Sequence, residues 1–139
     1  MLFRSGRRAA RPGIQAWTPE RLFELFPNLA AMRERPGGRM SGGEQQMLAI
    51  ARTLMGNPRA ILLDEPFEGL SPLIVEGVAE AIRELKREGL SVLLSEQNLR
   101  VARRVADRAC ILERGRLCHA GDMAELEASP ALRERYLSA

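Results

Sequence analysis

The sequence has few aromatic residues, few cysteines and no long apolar run. Aromatic residues make up 4% of the chain, so the core is expected to consist of aliphatic side chains. Cys110 and Cys118 lack the spacing of a metal site and favour a reducing compartment, although a disulfide between them across a hairpin stays open. Because no stretch of about eighteen apolar residues occurs, the chain is not expected to insert into a membrane.

Charges of the two signs are nearly balanced. Lys and Arg number 21 against 18 Asp and Glu, and in stretches such as residues 83–88 they alternate. This pattern indicates solvated helix faces and not a groove for nucleic acid. Residues 1–16 carry arginines without apolar periodicity and are interpreted as a basic, disordered arm, with contact to a membrane surface or nucleic acid as an alternative. The only histidine, His119, has no partner motif and is interpreted as a surface or structural residue.

A capped helix is predicted to begin around Ser41, Gly42, Gly43 and Glu44. Ser41 with Glu44 three residues later matches a capping box, and apolar residues then recur at helical spacing until Gly56. Such a helix start presents free backbone amides and a positive dipole end, and the glycines let an anion approach closely. The pattern predicts a phosphate-binding site, with an ordinary capped amphipathic helix as the alternative.

A short apolar strand leads directly into a pair of carboxylates. Residues 60–63 read Ala-Ile-Leu-Leu, the pattern of a buried parallel strand, and Asp64 and Glu65 follow at its carboxyl end before Pro66 stops it. Ligands bind at that edge of open α/β sheets. Because neighbouring carboxylates repel each other, the pair predicts a metal ion at the first and a water molecule held by the second.

A second strand is predicted to deliver polar residues to the same edge. The Ser-Pro pair at 71–72 has the pattern of a helix start, and the apolar stripe that follows ends at Gly89. Residues 90–95 are then predicted to form a second buried strand that leads into Glu96 and Gln97. The result is a βαβ unit whose polar residues converge.

The remaining elements are predicted from helix-start signals, turn signals and periodicity. They are a helix over 19–26 ended by Pro27 and Asn28, a helix from Asn98 to Ala106, a β-hairpin over 109–119, and closing helices over 122–127 and 130–137. Together with the βαβ unit they predict an α/β fold.

Three segments together resemble a known family. Residues 40–52, 62–72 and 95–98 resemble, in this order and at this spacing, the signature motif, the Walker B segment and the switch region of ABC transporter ATP-binding subunits. Within that family they resemble the subunits of branched-chain amino acid importers. The resemblance implies an α/β, P-loop NTPase-like three-layer fold, in which residues 17–139 would be the C-terminal part, with the signature helix and the Walker B half.

The resemblance also implies a role for each candidate residue. Residues 41–44, with Glu44 where glutamine is common, would contact the γ-phosphate of an ATP bound mainly by a second subunit. Asp64 would hold Mg²⁺, and Glu65 would be the general base that polarises the attacking water. Gln97 stands where many members carry the switch histidine, and it would hydrogen-bond a phosphate oxygen without carrying charge.

The resemblance is incomplete, because no G-x-x-x-x-G-K-[ST] phosphate loop occurs in the sequence. The chain is therefore expected to be the C-terminal portion of such a subunit and to be unable to hydrolyse ATP alone. The implied partners are a second ATP-binding subunit, in a homodimer or heterodimer, and transmembrane permease subunits. The implied location is cytoplasmic, peripheral on the inner face of the cell membrane, without contact to nucleic acid.

Two other functions stay open. One is a non-catalytic binding module that supplies only the signature face to a complete partner subunit. The other is a DNA-maintenance ATPase, against which the short connection between signature and Walker B, without inserted coiled-coil heptads, counts. A folded, monomeric product without ATP hydrolysis would favour the binding module over the ATPase.

Overall fold

A computed structural model describes residues 6–10 and 15–137 of the chain, which divides into two units, Met1–Ser95 and Glu96–Ala139. The elements of the first unit are α1 (Pro19–Leu25), α2 (Pro27–Ala31), a 3₁₀ turn (Gly37–Arg39), α3 (Gly42–Leu54), β1 (Ala60–Asp64), α4 (Pro72–Arg87) and β2 (Ser91–Ser95). Those of the second unit are α5 (Leu99–Ala102), β3 (Arg108–Glu113), β4 (Arg116–Asp122), α6 (Met123–Ala128) and α7 (Pro130–Leu137). None of the described helices has the length and apolar character needed to cross a membrane.

Proline residues begin the first two helices. Thr18 caps α1 by accepting a hydrogen bond from the backbone N–H of Arg21 at 3.4 Å, and Pro19 is the first helical residue, as the sequence predicts. The prediction that this helix ends before Pro27 is confirmed, since α1 ends at Leu25 with Phe26 as its C-cap, but the sequence analysis did not predict that Pro27 starts α2. Proline has no N–H to satisfy at a helix start and its fixed φ suits that position, so it can begin one helix where another ends.

β1 and β2 pair in parallel, with α4 as the connection between them. The register runs from Ala60 opposite Ser91 to Asp64 opposite Ser95, so the carboxyl ends of both strands meet at one edge. α4 packs against β2. The predicted βαβ unit is therefore confirmed in its elements, its order and its parallel pairing.

The charged residues of α4 pair with one another along its exposed side. Arg83 donates hydrogen bonds to Glu80 at 2.7 Å and to Glu76 at 3.2 Å, and Arg87 donates to Glu80 at 2.7 Å. The hydrogen bond from Arg83 lowers the pKa of the Glu80 carboxyl. These contacts agree with the predicted solvated helix face.

The prediction that β1 and β2 are buried strands is wrong. Ile61 and Leu63 are 2% and 7% exposed, but Leu62 is 74% exposed, and its partner across the sheet, Leu93, is 66% exposed. Among the described residues this sheet has two strands, and only one of its faces is covered. An apolar run indicates that both faces of a strand are apolar, but it does not indicate that both are covered.

Alanine at neighbouring positions of β1 should distinguish the two faces. Leu63→Ala should lower the free energy of unfolding by about 2–4 kcal/mol, because it deletes buried methyl groups and leaves a cavity. Leu62→Ala should cost less than about 0.5 kcal/mol, because its side chain is already largely in water. Urea unfolding followed by the fluorescence of the single tryptophan measures both values. Equal losses would mean that the Leu62 face is covered in solution.

A buried asparagine ties the start of the chain to the end of α3. Asn57 is 8% exposed, and its Oδ1 accepts a hydrogen bond from the backbone N–H of Trp17 at 2.8 Å. Its Nδ2 donates to the carbonyl oxygen of Arg8 at 2.7 Å, and the N–H of Arg8 donates to the carbonyl oxygen of Met55 at 3.0 Å. Three separate parts of the sequence therefore meet at one side chain.

These contacts bear on the disordered arm predicted for residues 1–16. Residues 6–10 lie against the end of α3, where a Cβ on Gly6 would come within 2.2 Å of a backbone carbonyl oxygen of that helix. This part of the segment is therefore held in place, which differs from the expectation of a free arm. Residues 1–5 and 11–14 lie outside the described residues, and the division of the chain at residue 16 stays a prediction.

The core of the first unit contains more than aliphatic side chains. Phe26 and Phe67 are 2% and 6% exposed, and Met47 and Met55 are each 2% exposed. The expectation of an aliphatic core is therefore only partly met. The fully aliphatic members of the core include Leu22, Leu29, Ile50, Leu54, Val78, Ile82 and Leu85.

The second unit is built on the predicted β-hairpin. β3 and β4 pair antiparallel, and they are joined by Arg114 and Gly115, whose φ values of 50° and 77° are those of a tight hairpin turn. α6 packs against both strands and buries Met123 and Leu126. α5 ends at Ala102, before its predicted end, whereas α7 has its predicted bounds.

The hairpin carries both cysteines and the histidine. Cys110 and Cys118 are free and exposed, so the structure contains no disulfide between them. His119 lies opposite Ile111, and among the described residues its Nε2 is buried without a hydrogen-bond partner. Its ring therefore lies on the covered side of the hairpin, which favours the structural interpretation of this residue over the surface one.

Candidate functional site

The start of α3 carries the capping box that the sequence predicts. The hydroxyl of Ser41 accepts a hydrogen bond from the N–H of Glu44 at 3.4 Å, and the N–H of Ser41 donates to Oε2 of Glu44 at 2.7 Å. Ser41 is extended, with φ −64° and ψ 163°, and Gly42 is the first helical residue. Within the described residues the amides of Gly42 and Gly43 have no hydrogen-bond partner, so they are available to an anion.

The glycines at this helix start have different surroundings. A Cβ on Gly42 would meet nothing within 4 Å, so a ligand can approach the backbone there. A Cβ on Gly43 would lie 3.0 Å from Cγ2 of Ile74 and 3.4 Å from Cδ2 of Leu70. Gly43 therefore also allows α3 to pack closely against the first turn of α4, a role that the sequence pattern does not reveal.

Two side chains hold the loop before α3, Gln45 from within the segment that resembles the signature motif and Arg35 from outside it. Nε2 of Gln45 donates to the carbonyl oxygens of Gly37 at 3.3 Å and of Met40 at 3.0 Å. Nη1 of Arg35 lies 3.7 Å from Oε2 of Glu44. These contacts hold the loop that leads into the start of α3. A glutamine or an arginine near a helix start predicts no particular contact, so the sequence contained no usable signal for either.

Asp64 and Glu65 lie at the carboxyl end of β1, as predicted. Asp64 is exposed and lies opposite Ser95 in the parallel pair. Glu65 is half-buried, its N–H donates to the carbonyl oxygen of Ser95 at 2.9 Å, and its φ is 44°. A left-handed φ costs a residue with a side chain roughly 1–2 kcal/mol. Strain of this kind persists where the surrounding structure imposes it, often at functional sites.

Relief of this strain should stabilise the first unit. Glu65→Gly should raise the free energy of unfolding by about 0.5–1 kcal/mol, because glycine adopts a positive φ freely but loses more chain entropy on folding. Arg114→Gly is the matched control, since Arg114 has φ 50° in the hairpin turn, and it should give a similar gain. Urea unfolding measures both. A loss in Glu65→Gly alone would mean that contacts of the Glu65 side chain outweigh the strain.

Glu96 and Gln97 follow directly after β2, at the start of the second unit. Gln97 is exposed, and the next residue, Asn98, caps α5 by accepting a hydrogen bond from the N–H of Arg100 at 3.0 Å. Oε1 of Glu96 accepts from the N–H of Asn98 at 2.9 Å, whereas Oε2 is buried without a partner among the described residues. A buried carboxylate oxygen without a partner is costly.

The candidate residues form three groups. The first is residues 41–44 at the start of α3, the second is residues 64–65 at the end of β1, and the third is Gln97 in the second unit. Leu70, in the segment that follows the carboxylates, contacts the position of Gly43 and so connects the first two groups. The predicted convergence of Gln97 with the carboxylates stays a prediction.

Asp64 suits a Mg²⁺ ion that is held largely by a nucleotide. Among the described residues, no three His, Cys, Asp or Glu side chains come together in a way that could enclose a metal ion. Mg²⁺ bound with phosphates uses one or two carboxylates and keeps several waters. An exposed carboxylate at the end of a parallel strand fits that requirement.

Known proteins are similar to this chain. The family described as ABC transporter matches residues 14–68, which include both the capping box and the carboxylate pair. Over 118 residues the chain is 48% identical to the high-affinity branched-chain amino acid transport ATP-binding protein BraG of Pseudomonas aeruginosa, a match that covers 85% of this chain and 51% of BraG. The chain is related to the ABC transporter ATP-binding domains.

Other ABC transporter proteins resemble the chain as well. Over 131 residues it is 36% identical to the lipopolysaccharide export system ATP-binding protein LptB of Haemophilus influenzae, covering 94% of this chain and 54% of LptB. Among solved structures, the ADP conformation of MJ1267, an ATP-binding cassette of an ABC transporter, has a TM-score of 0.70 and 26% identity, covering 86% of this chain and 50% of MJ1267. The chain thus shares the α/β fold of ABC ATPase cassettes and spans about half the length of the relatives it matches.

Proposed function

We propose that this chain supplies the signature helix and the Walker B strand of an ABC-type ATPase that powers membrane transport. The observation that carries the proposal is the carboxylate pair at the end of β1, with Glu65 held at φ 44°, in the same unit as the capped start of α3. Both features fall within the residues that match the ABC transporter family. Hydrolysis of ATP is the activity that uses this combination.

In this proposal the start of α3 contacts the γ-phosphate of ATP. The available amides of Gly42 and Gly43, together with the hydroxyl of Ser41, would donate to its oxygens. The helix dipole adds partial positive charge at the same place. Glu44 holds this helix start in shape through the capping box.

Asp64, Glu65 and Gln97 would perform the chemistry on the second nucleotide of the dimer, not on the one whose γ-phosphate the start of α3 contacts. Mg²⁺, when bound with ATP, neutralises charge on the phosphates, and the carboxylate of Asp64 would hold it. Glu65 would accept a proton from the attacking water and orient it toward the γ-phosphate, while Gln97 would donate a hydrogen bond to a phosphate oxygen. Because positioning supplies most of the rate, the imposed backbone conformation of Glu65 would serve catalysis directly.

Each nucleotide would lie between this chain and a second ATP-binding subunit, with its phosphates on the phosphate loop of one subunit and on the signature helix of the other. Transmembrane permease subunits would be the further partners, and the assembly would place this chain on the cytoplasmic side of the membrane. The names of the related proteins support this setting, since BraG and LptB are ATP-binding proteins of transport systems.

Branched-chain amino acids are the proposed transported substrate. The 48% identity with BraG exceeds the 36% identity with LptB of Haemophilus influenzae. Lipopolysaccharide export is the second candidate, because the LptB match extends over more of this chain, 94% against 85%.

Chimeric proteins test both parts of the proposal. The segment of BraG that aligns with this chain is replaced by the aligned residues of this chain, and the same exchange is made in LptB. The BraG chimera should hydrolyse ATP and restore leucine uptake in cells that lack BraG. The LptB chimera should hydrolyse ATP but should not restore lipopolysaccharide export in cells that lack LptB.

The outcomes separate the activity from the substrate. If the LptB chimera restores lipopolysaccharide export and the BraG chimera does not restore leucine uptake, lipopolysaccharide replaces branched-chain amino acids as the proposed substrate. If both chimeras fold and bind ATP but neither hydrolyses it, the ATPase proposal fails. Unaltered BraG and LptB, expressed in the same way, serve as controls for folding and expression.

A further inference from the structure

Arg35 contacts the helix cap at the proposed phosphate site. Its Nη1 lies 3.7 Å from Oε2 of Glu44, and the same oxygen accepts the hydrogen bond from the N–H of Ser41 at 2.7 Å. One carboxylate oxygen thus joins the start of α3 to a guanidinium from the preceding loop. The side chains of Arg35 and Glu44 are 48% and 21% exposed, so the carboxylate is the better shielded partner.

Glu44 creates an electrostatic problem for an anion at this helix start. Its carboxylate caps α3, but it also puts a negative charge beside the amides that a phosphate would approach. Like charges a few ångströms apart repel, and salt screens them little within a Debye length of about 8 Å. A glutamine could make the same capping contact without the charge. The carboxylate therefore needs a nearby positive charge if a phosphate is to bind.

We propose that Arg35 is a positioning residue that neutralises Glu44 and thereby lets the start of α3 accept the γ-phosphate. This inference rests on the proposed function and deepens it, because it assigns a residue that lies outside the signature motif. Arg35 acts through Glu44, since it compensates the charge of the carboxylate while the carboxylate keeps its capping hydrogen bond. The phosphate then meets the amides of Gly42 and Gly43 without an uncompensated negative charge beside them.

The ion pair should matter for anion binding much more than for folding. Exposed ion pairs contribute little to stability, because water and side-chain entropy offset the Coulomb attraction. The Arg35–Glu44 pair is partly exposed, at 48% and 21%. Arg35→Ala should therefore shift the melting temperature by less than about 2 °C. If Arg35 had a purely structural role, Arg35→Ala would lower the melting temperature by more than this.

The test is an NMR titration of the 139-residue chain with inorganic phosphate at a fixed ionic strength of about 0.15 M, followed at the amides of Gly42 and Gly43. Arg35→Ala should raise the Kd for phosphate about three- to tenfold, because it leaves the Glu44 charge uncompensated. Glu44→Gln should bind phosphate at least as tightly as the parent. In the Glu44→Gln background, Arg35→Ala should change the Kd less than about twofold, since no charge remains to neutralise.

Arg39→Ala is the matched control for the loss of one positive charge. Arg39 is exposed in the 3₁₀ turn before α3, and the structure shows no ion pair between it and Glu44 in the described residues. Its removal should change the Kd less than about twofold. Equal losses in Arg39→Ala and Arg35→Ala would overturn the proposal, because net charge alone would then explain both.

Three further outcomes would also overturn it. The first is an unchanged Kd for phosphate in Arg35→Ala. The second is an increase of the Kd by Arg35→Ala that is equally large with glutamate and with glutamine at position 44. The third is a large fall in the melting temperature of Arg35→Ala that accounts for the weaker binding. If the parent chain shows no shift at Gly42 and Gly43, both this inference and the phosphate-binding part of the proposed function fail. Binding by the parent without an effect of Arg35→Ala removes only the role of Arg35.

Discussion

Glu65→Gln should lower the ATP hydrolysis rate of the BraG chimera by about a hundredfold or more, while the affinity for ATP changes little. Glutamine has nearly the same size and can still hydrogen-bond the water, but it cannot accept the proton. Positioned general bases contribute about 10²- to 10⁴-fold to enzymatic rates. Asp64 stays intact in this variant, so the metal ion should bind as before. The effect should therefore fall on kcat, with little change in KM.

Glu68→Gln provides the control for the loss of a carboxylate near the strand end. Glu68 is exposed, and its N–H donates to the carbonyl oxygen of Glu65 at 3.1 Å, so it belongs to the same turn. Its variant should hydrolyse ATP near the parent rate. Single-turnover hydrolysis and equilibrium ATP binding, measured separately, distinguish the chemical step from binding. A parent-like rate in Glu65→Gln would exclude Glu65 as the general base.

The strain at Glu65 and its proposed role belong together. Glu65→Gly should stabilise the first unit. In the BraG chimera it should abolish ATP hydrolysis, as Glu65→Gln does. Arg114→Gly should give a similar gain in stability without a change in hydrolysis, because Arg114 lies in the hairpin turn. A residue that costs stability and is needed for activity is the expected compromise at a functional site. The two glycine variants therefore compare strain that supports function with strain that does not.

The features that could be predicted from the sequence are those with local signals. Ser41 and Glu44 specify the start of α3 through a capping box that needs only four consecutive residues, and the structure contains both of its hydrogen bonds. Likewise the apolar stripe after the Ser-Pro pair at 71–72 predicts α4, and the strands on either side of it pair in parallel. Local start signals and periodicity were sufficient for these elements.

The features that could not be predicted depend on contacts between distant residues. The exposure of Leu62 depends on what covers the sheet, and an apolar run contains no such information. The positive φ of Glu65 arises where β1 turns beside Ser95, which lies thirty residues further along the chain. The Arg35–Glu44 contact crosses a loop and a 3₁₀ turn, neither of which has a strong sequence signal. The last two of these features lie at the candidate site itself.

Asn57→Ala should lower the free energy of unfolding by about 2–4 kcal/mol, a large effect for a single polar residue outside the helices and strands. The substitution removes the acceptor for the N–H of Trp17 and the donor to the carbonyl oxygen of Arg8, across separations of 40 and 49 residues. Because Trp17 is only 9% exposed, its N–H would be left unpaired in a buried place. Alanine would also have to adopt the positive φ of 50° found at this position.

Two other substitutions of Asn57 separate these contributions. Asn57→Gly loses the same hydrogen bonds but tolerates the positive φ, so it should be more stable than the alanine variant by about 1 kcal/mol. Asn57→Asp keeps an acceptor for Trp17 but faces the carbonyl oxygen of Arg8 with a carboxylate, so it should also be destabilised. Asn98→Ala, which removes the exposed cap of α5, should cost only about 1 kcal/mol.

Trp17 reports directly on this prediction, because it is the only tryptophan and its backbone N–H donates a hydrogen bond to Asn57. Urea unfolding monitored by its fluorescence gives the free energy, and hydrogen exchange of its amide gives the local opening. Asn57→Ala should speed that exchange even where the unit stays folded. A loss below about 0.5 kcal/mol, with unchanged exchange, would mean that residues 6–10 do not lie against α3 in solution. Because α3 carries the capping box at its other end, its anchoring by Asn57 also stabilises the helix on which the proposed phosphate site depends.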